Sequence, residues 1–472
     1  MSLASRTITV LGRPLPLDPR VLAAAAAADV RSMPPALRVW LGGLLAVGGL
    51  AAIAALIALP PGWEVFGTTP SFEWGLLIVG YVFFAIMTSG LCLASSLGTV
   101  FGIDRFRPLE KRHAILAVLS LTAAFGIIAL DLHYPVRLVL GAVLSPAPSS
   151  PMWWMGVFYG AYLCVLLVEV WSMFSDHPAI HQWACTVAAG LAIVAPFTLG
   201  AVFAVLAARP FWHGPFTPVL MVASAFLAGT ALLAIIFGVV GRLRLTGYER
   251  AERVAVSGLR LLLGVGLVAV AALVTQHLLA GLNGTERGLR EATDALIGGP
   301  LAPAFWGVRV GIGFVVPLVL LVWRSTRTSA WLGAAGGCAL AGVFVDRLLF
   351  VSGGEIAPIT TAAGVVTEGF ASYAPSVVEI GIVLGAVAYV ALGYTLAERY
   401  LDMAESDVHM GFRFAPIRRG WAVIEDGLRR GRSALETAMR SALAARRAAG
   451  ESPADGSATE DAAAAPSGQE AP

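Results

Sequence analysis

The stretch Phe72–Arg112, FEWGLLIVGYVFFAIMTSGLCLASSLGTVFGIDRFRPLEKR, decides the fold class. From Trp74 to Phe101 it carries no charged residue, and as a helix such a run crosses about 30 Å of hydrocarbon. Inside lipid a helix satisfies its own backbone hydrogen bonds, which an open strand cannot do. The run then meets Arg105, Arg107, Lys111 and Arg112, a basic turn of the kind that stays at a membrane surface.

The same pattern recurs outward in both directions. Spans are predicted near residues 39–59, 74–101, 113–131, 151–174, 183–208, 218–241, 257–281, 304–323, 329–351 and 375–396. Composition agrees: 57% of the 472 residues are hydrophobic and 13% are charged. The mean hydropathy is +0.78, far from that of a soluble domain. The expected fold is an all-α integral membrane protein of about ten helices. The formal net charge of +2 argues against nucleic acid as a partner.

Basic residues alternate between connections. They crowd the N-terminal arm (Arg6, Arg13, Arg20, Arg31, Arg38), the turn after span two, the turn after span six (Arg242, Arg244, Arg250, Arg253) and the end of span eight (Arg324, Arg327). The connections 60–73 and 352–374 hold none, and 132–150 holds Arg137. The positive-inside rule therefore predicts both termini in the cytoplasm, against a minority signal from Arg287 and Arg290. Residues 1–38 form an arm with no small-residue cleavage site after an apolar segment, so no removable signal peptide is expected. Residues 397–447 are basic and alanine-rich, with Trp421, Ile424, Leu428 and Leu435 at helical spacing, which predicts a cytoplasmic amphipathic helix. Residues 448–472 hold little to bury and are expected to be disordered.

Cys92, Cys164, Cys185 and Cys338 each fall inside a span, and none is in a CxxC pair, so they read as small buried hydrophobes. This spacing argues against iron–sulfur or c-type haem ligation within the chain. His113, His133, His177, His181, His213 and His409 fall at span ends, in loops or in the tail, leaving His277 alone well inside a helix. A b-type haem needs facing histidines at depth, so neither haem nor metal is expected here.

Polar groups at span ends carry the functional reading. Glu73 and Trp74 open span two. Asp131, His133, Tyr134 and Arg137 close span three, and Trp153 and Trp154 open span four. Glu169, Asp346, Arg347 and Glu379 lie in or near other spans, where each charge costs at least ~2.5 kcal/mol at mid-bilayer unless paired or wetted. Pairs such as Asp131 with Arg137, or Asp346 with Arg347, also make sense as ion pairs at helix ends, and tryptophans populate interfaces without a function. Convergence of carboxylate, imidazole, phenol, guanidinium and indoles from three helix ends suits a quinone, which needs apolar walls, donors for its carbonyl oxygens and a proton relay. A secondary transporter also places charges in the membrane, and Pro196 and Pro317 fit the broken helices such a protein uses.

Several motifs resemble one family. Phe72–Arg112, then LDLHYPVR (130–137), then SPMWWMGVFYGAY (150–162) look like the NrfD or polysulfide-reductase-C family of quinone-interacting membrane subunits. TLGAVFAVLAARPFW (198–212) with SAFLAG (224–229) is similar to the family's central helices. DRLLFVSGGEIAP (346–358) with YAPSVVEIGIVLGAVAY (373–389) is similar to its C-terminal pair. The resemblance covers roughly residues 70–395, and the arm VLGRPLPLD (10–18) is similar to the alternative-complex-III branch. Ten spans rather than eight place the chain nearer the HybB, DsrP and alternative-complex-III branches.

The resemblance implies two four-helix bundles, about 74–208 and 218–351, flanked by helices 39–59 and 375–396. A weak internal echo relates Ser89–Gly90 and Phe101–Gly102 to Ala228–Gly229 and Phe237–Gly238. It also implies a site for menaquinone or ubiquinone near the external face of the first bundle. The matching positions are Glu73 and Trp74; Asp131, Pro135 and Arg137 of the DL-x-x-P-x-R motif; and Trp153 and Trp154. The chain departs from the family's Gly-Arg at His133 and Tyr134, so His133, Tyr134 or Arg137 is left to hold a carbonyl. Asp131 or Glu73 would take the proton, with Glu169, Asp346 and Glu379 as weaker candidates for a proton path. On this resemblance the chain is the anchor of a respiratory oxidoreductase of the molybdopterin/iron–sulfur type in a bacterial inner membrane. It would work beside an external iron–sulfur subunit and a further catalytic subunit.

Overall fold

The computed structural model describes residues 7–10, 13–16, 29–59, 65–132, 145–175, 177–243, 250–323, 328–357, 370–401 and scattered helical positions between 430 and 441. Among the described residues, ten helices are long and apolar enough to span a membrane. They are α1 (Pro35–Ala58), α2 (Leu76–Thr99), α3 (Glu110–Asp131), α4 (Pro151–Met173) and α5 (Pro178–Ala204), followed by α6 (Phe216–Leu243) and α7 (Arg250–Asn283). A short helix α8 (Arg287–Ile297) precedes α9 (Ala304–Val322), α10 (Ser329–Ile356) and α11 (Val377–Tyr400). Helix α8 was not legible as a span because it has eleven residues and alternates charge with apolar side chains. The arm adds a small antiparallel hairpin, Thr7–Val10 with Arg13–Pro16, outside the spanning helices. Most of the stretch 397–447 beyond Leu401, and all of 448–472, lies outside the described residues.

Helix α2 is the hub. Its apolar window is 89% buried, against 11% for α1 and 17% for α9, whose leucines and valines face outward as lipid-facing residues do. Helices α2, α3, α4 and α5 close a ring in which each packs on the next and α5 returns to α2. Helices α6, α7, α9 and α10 close a second ring. Helix α6 joins the two by packing on both α2 and α5, and α1 pairs with α11, which leans on α3.

Small residues permit these approaches. A side-chain carbon added at Gly90 would stand 1.7 Å from the Ala225 carbonyl oxygen, and one at Gly229 would stand 1.9 Å from the Gly90 carbonyl carbon. The two glycines related by the internal echo thus meet where α2 crosses α6, backbone against backbone, as small residues do in membrane helix pairs. Gly102, at φ 68°, turns the chain after α2 into a tight 3-10 turn over Asp104–Leu109. Hydroxyls buried in α2 turn back on its own carbonyls, Thr88 to Phe84 at 3.0 Å and Ser96 to Leu93 at 2.8 Å.

Helix α9 departs from α geometry. From Ala304 to Val315 its backbone bonds run to the fifth preceding residue, ending with the Val316 N–H on the Gly311 carbonyl. Such π turns are rare and concentrate at functional sites. Gly313 sits against Gly342 of α10, so the widened helix still packs closely.

Candidate functional site

The chain gathers its polar groups in three places. The first is the end of the molecule where α2 begins and α3 stops. Phe72 and Thr69 exchange backbone hydrogen bonds of 3.0 Å, and Phe72 lies face to face with Tyr373 at 4.7 Å. Tyr373 accepts the Leu76 N–H at 2.6 Å and donates to Glu379 Oε1 at 2.7 Å. Burial, and then the Glu379 carboxylate beside it, hold the phenol far above its ordinary range, so it stays a donor. Glu379 Oε2 accepts from the Gly67 and Ser376 N–H groups, each at 2.8 Å, and Ser376 Oγ accepts the Glu379 N–H, completing a capping box at the start of α11. Glu379 thus clasps the loop before α2 to the start of α11. Asp131, the last residue of α3, is half-buried and interacts electrostatically with both Glu379 and Tyr373.

Trp74 packs the other way, edge-on to Phe203 at 5.0 Å and stacked on Trp212 at 4.9 Å. Trp212 is fully buried and donates Nε1–H to the Phe350 carbonyl at 2.7 Å. This aromatic cluster ties α2 to α5 and α10. Beneath it Arg209 pairs with Glu355 at 2.6 Å, and the Glu355 carboxylate also takes the backbone N–H of Glu73. Glu73 keeps its own side chain exposed. Trp153 and Trp154 sit edge-on at 4.8 Å, and Trp154 stacks on Phe158 and donates to the Pro148 carbonyl at 2.8 Å. His133, Tyr134, Pro135 and Arg137 lie outside the described residues.

The second place is the interior of the α6–α7–α9–α10 ring. Asp346 pairs with both Arg309, from the π turns of α9, and its neighbour Arg347. Arg347 is fully buried, with Ser224 Oγ at 3.2 Å and the Phe350 ring at 5.2 Å. The ring of His277 stacks on Phe216 at 5.2 Å and meets Phe211 edge-on at 4.8 Å. A cavity of about 350 Å³ opens beside the pair, walled by Leu267, Val274, Phe305 and Trp306, with Arg309 and Asp346 at its polar end. The third place is the opposite end of the first ring, where Glu110, His113, Glu169, His181 and Cys185 are buried together. Nearby, Arg112 pairs with Glu398 of α11 at 3.1 Å, and Glu398 also accepts from Tyr394 at 2.8 Å.

Glu169, Asp346 and Glu379 thus occupy three separate clusters. The sequence reading missed Arg309, Arg209 with Glu355, and the Glu110–His181–Cys185 group. Arg309 was legible as a lone cation inside an apolar run. Glu110 with His113, and His181 with Cys185, fall at i,i+3 and i,i+4 spacings that share a helix face. A span-end position gives no sign of burial, yet His113 and His181 are 1% and 2% exposed because neighbouring helix ends close over them.

These features define a multi-pass helical membrane protein with buried charge clusters at both ends of its first helix ring. The family described as "Polysulphide reductase, NrfD" matches residues 64–358, and the chain belongs to it. Among its relatives is a selenate reductase subunit from Mesobacillus selenatarsenatis, 23% identical over 345 residues, which cover 65% of this chain and 79% of that one. The Hdr-like menaquinol oxidoreductase integral membrane subunit of Archaeoglobus fulgidus is 24% identical over 340 residues, 69% of this chain and 84% of that one.

Proposed function

We propose that the chain is the quinone- or quinol-binding membrane anchor of a respiratory oxidoreductase complex, exchanging electrons with an iron–sulfur subunit docked on the face where α2 begins. Family membership supports the class, and the naming of one relative as a menaquinol oxidoreductase subunit supports the substrate. The observation that carries the site is Asp131, a carboxylate at the end of α3 beside the Phe72–Tyr373 stack and the Glu379 clasp. The donor set fits a quinone in part: a carboxylate for the proton and aromatic side chains for a wall are at hand, and the carbonyl donors would come from His133, Tyr134 and Arg137. A quinol bound there would supply two electrons and two protons. Asp131 accepts one proton at its carboxylate, the other leaves to the external water, and Tyr373 and Glu379 hold the start of α11 against α2.

Turnover is tested with Asp131→Asn in the assembled complex. The variant is expected to abolish quinol-linked electron transfer while the complex still assembles with its partner subunits; unchanged turnover overturns the role of Asp131. Arg309 of the π-distorted α9, paired with Asp346 of α10 at the polar end of a cavity, favours a second reading, a secondary transporter. Purification distinguishes the two. An anchor co-purifies with an iron–sulfur subunit and extractable quinone, and a transporter purifies without either and carries solute flux by itself.

A further inference from the structure

The buried group at the Arg112 end is built from three helix ends. The first turn of α3 supplies Glu110 and His113, the last turns of α4 supply Glu169 and Ser172, and the first turns of α5 supply His181 and Cys185. All six are buried. His181 Nε2 lies 2.5 Å from Glu110 Oε1 and 3.5 Å from Cys185 Sγ. Cys185 Sγ lies 3.6 Å from Glu169 Oε1, which also meets His113 Nε2 at 3.1 Å. The ligand atoms of Glu110, His181 and Cys185 all fall within 4.8 Å of one another.

Hydrogen bonding fixes the tautomer. Ser172 Oγ is 2.8 Å from the Glu169 carbonyl, which only accepts, so the hydroxyl donates there. The hydroxyl oxygen is then left to accept from His181 Nδ1–H at 3.0 Å. In a neutral ring the lone pair sits on Nε2, aimed at the Glu110 carboxylate. Two acceptors at 2.5 Å require a proton between them, and a metal could replace it only if the two atoms moved apart. Next to them Glu169 Oε2 and His113 Nδ1, both buried, have no hydrogen-bond partner among the described residues. A buried carboxylate needs its charge balanced, and the two here face histidines, Glu110 with His181 and Glu169 with His113.

We infer that Glu110, His181 and Cys185 bind a divalent cation of the zinc class, with Glu169, whose Oε1 lies 3.6 Å from Cys185 Sγ, moving in as the fourth ligand. Mixed nitrogen, sulfur and oxygen donors suit borderline-soft Zn²⁺ in tetrahedral geometry. Zn–S of about 2.3 Å and Zn–N of about 2.0 Å place those two ligand atoms about 3.5 Å apart in a tetrahedron. The Cys185–His181 separation of 3.5 Å already has that value. Glu110 must withdraw from His181 to about 3.3 Å, a small side-chain shift. Ser172 orients His181 and His113 orients Glu169, the outer contacts that such ligands need. On binding, two protons leave to solvent, the one held between His181 and Glu110 and the one on the Cys185 thiol, which becomes the thiolate ligand. The ion would tie the ends of α3, α4 and α5 together; the sequence predicts no metal because its donors meet only when the ends of three successive helices pack.

The test uses the tag-free full chain in detergent, stripped with chelator and titrated with Co²⁺. One Co²⁺ per chain is expected, with tetrahedral ligand-field bands and a thiolate-to-metal charge-transfer band, and Zn²⁺ should displace it. Cys185→Ser should lose the charge-transfer band, and His181→Ala should weaken binding at least tenfold. A wild-type chain that shows no thiolate band overturns the inference whether or not the variants fold, and leaves a proton shared by His181 and Glu110. Retention of that band in Cys185→Ser overturns it as well. The readout does not involve quinol turnover, so it stands apart from the proposed function.

Discussion

Replacing Asp346 by Leu removes the carboxylate that stands between Arg309 and Arg347. Arg347 is 0% exposed and Arg309 15%, so two guanidinium groups would be left buried, held by Ser224 and by the faces of Phe350 and Phe305. Breaking a buried pair by removing one partner costs about 3–5 kcal/mol. At 1.36 kcal/mol per tenfold that is roughly two to four decades in the folding equilibrium. Removing Arg309 instead leaves Asp346 paired with Arg347, a neutral arrangement, and takes away a cation that costs about 2.5–3.5 kcal/mol in the membrane when unpaired. Arg309→Leu should therefore lie within about 1 kcal/mol of the parent. The double variant Arg309→Leu/Asp346→Leu strands one arginine rather than two and should fall between the singles. Unfolding of the detergent-solubilised chain by graded SDS, followed by circular dichroism, measures all three. Equal losses from the two single variants would refute the charge argument and make the site a matter of packing alone.

Gly229→Ala places a methyl 1.9 Å from the Gly90 carbonyl carbon at the crossing of α2 and α6. It should destabilise by at least the 1–3 kcal/mol typical of overpacking, whereas Gly160→Ala, which meets nothing within 4 Å, should unfold like the parent. Trp212→Phe keeps a smaller aromatic ring but deprives the buried Phe350 carbonyl of its 2.7 Å donor, for about 1–3 kcal/mol from the lost bond; Trp212→Ala should cost about 3–5 kcal/mol in the same unfolding assay. Asp29 accepts from Arg399 at 2.5 Å and from Tyr400 at 2.6 Å, and those bonds hold its carboxyl below the usual range. The contact is therefore intact above the ordinary aspartate pKa and lost as pH falls through the depressed value. Proteolysis of the N-terminal arm should accelerate below about pH 4 in the parent and be fast at every pH in Asp29→Asn.

Several features were legible from composition and order along the chain. Hydropathy located all ten spanning helices because a helix in lipid is a local structure: its hydrogen bonds close within the segment, and its length is set by the bilayer. The ends were drawn a few residues off where polar groups continue a helix, as Glu110–Arg112 do at the start of α3. Asp131 was legible as a carboxylate ending an apolar run, and family motifs pointed to the same helix end. Which groups meet depends on distances between helices that no local pattern encodes. Glu379 looks like a lone acid at a span start, and only the loop carrying Gly67 and the stacked Tyr373 turn it into a clasp. Arg309 and Asp346 stand 37 positions apart and become partners because Gly313 and Gly342 let α9 approach α10. Glu110, Glu169, His181 and Cys185 come from three helices whose ends the first ring gathers at one point. The sequence by itself determined that these segments are buried in a membrane, because hydrophobicity is additive along a helix; the tertiary structure decided which charges share a pocket, because pairing depends on packing across the chain.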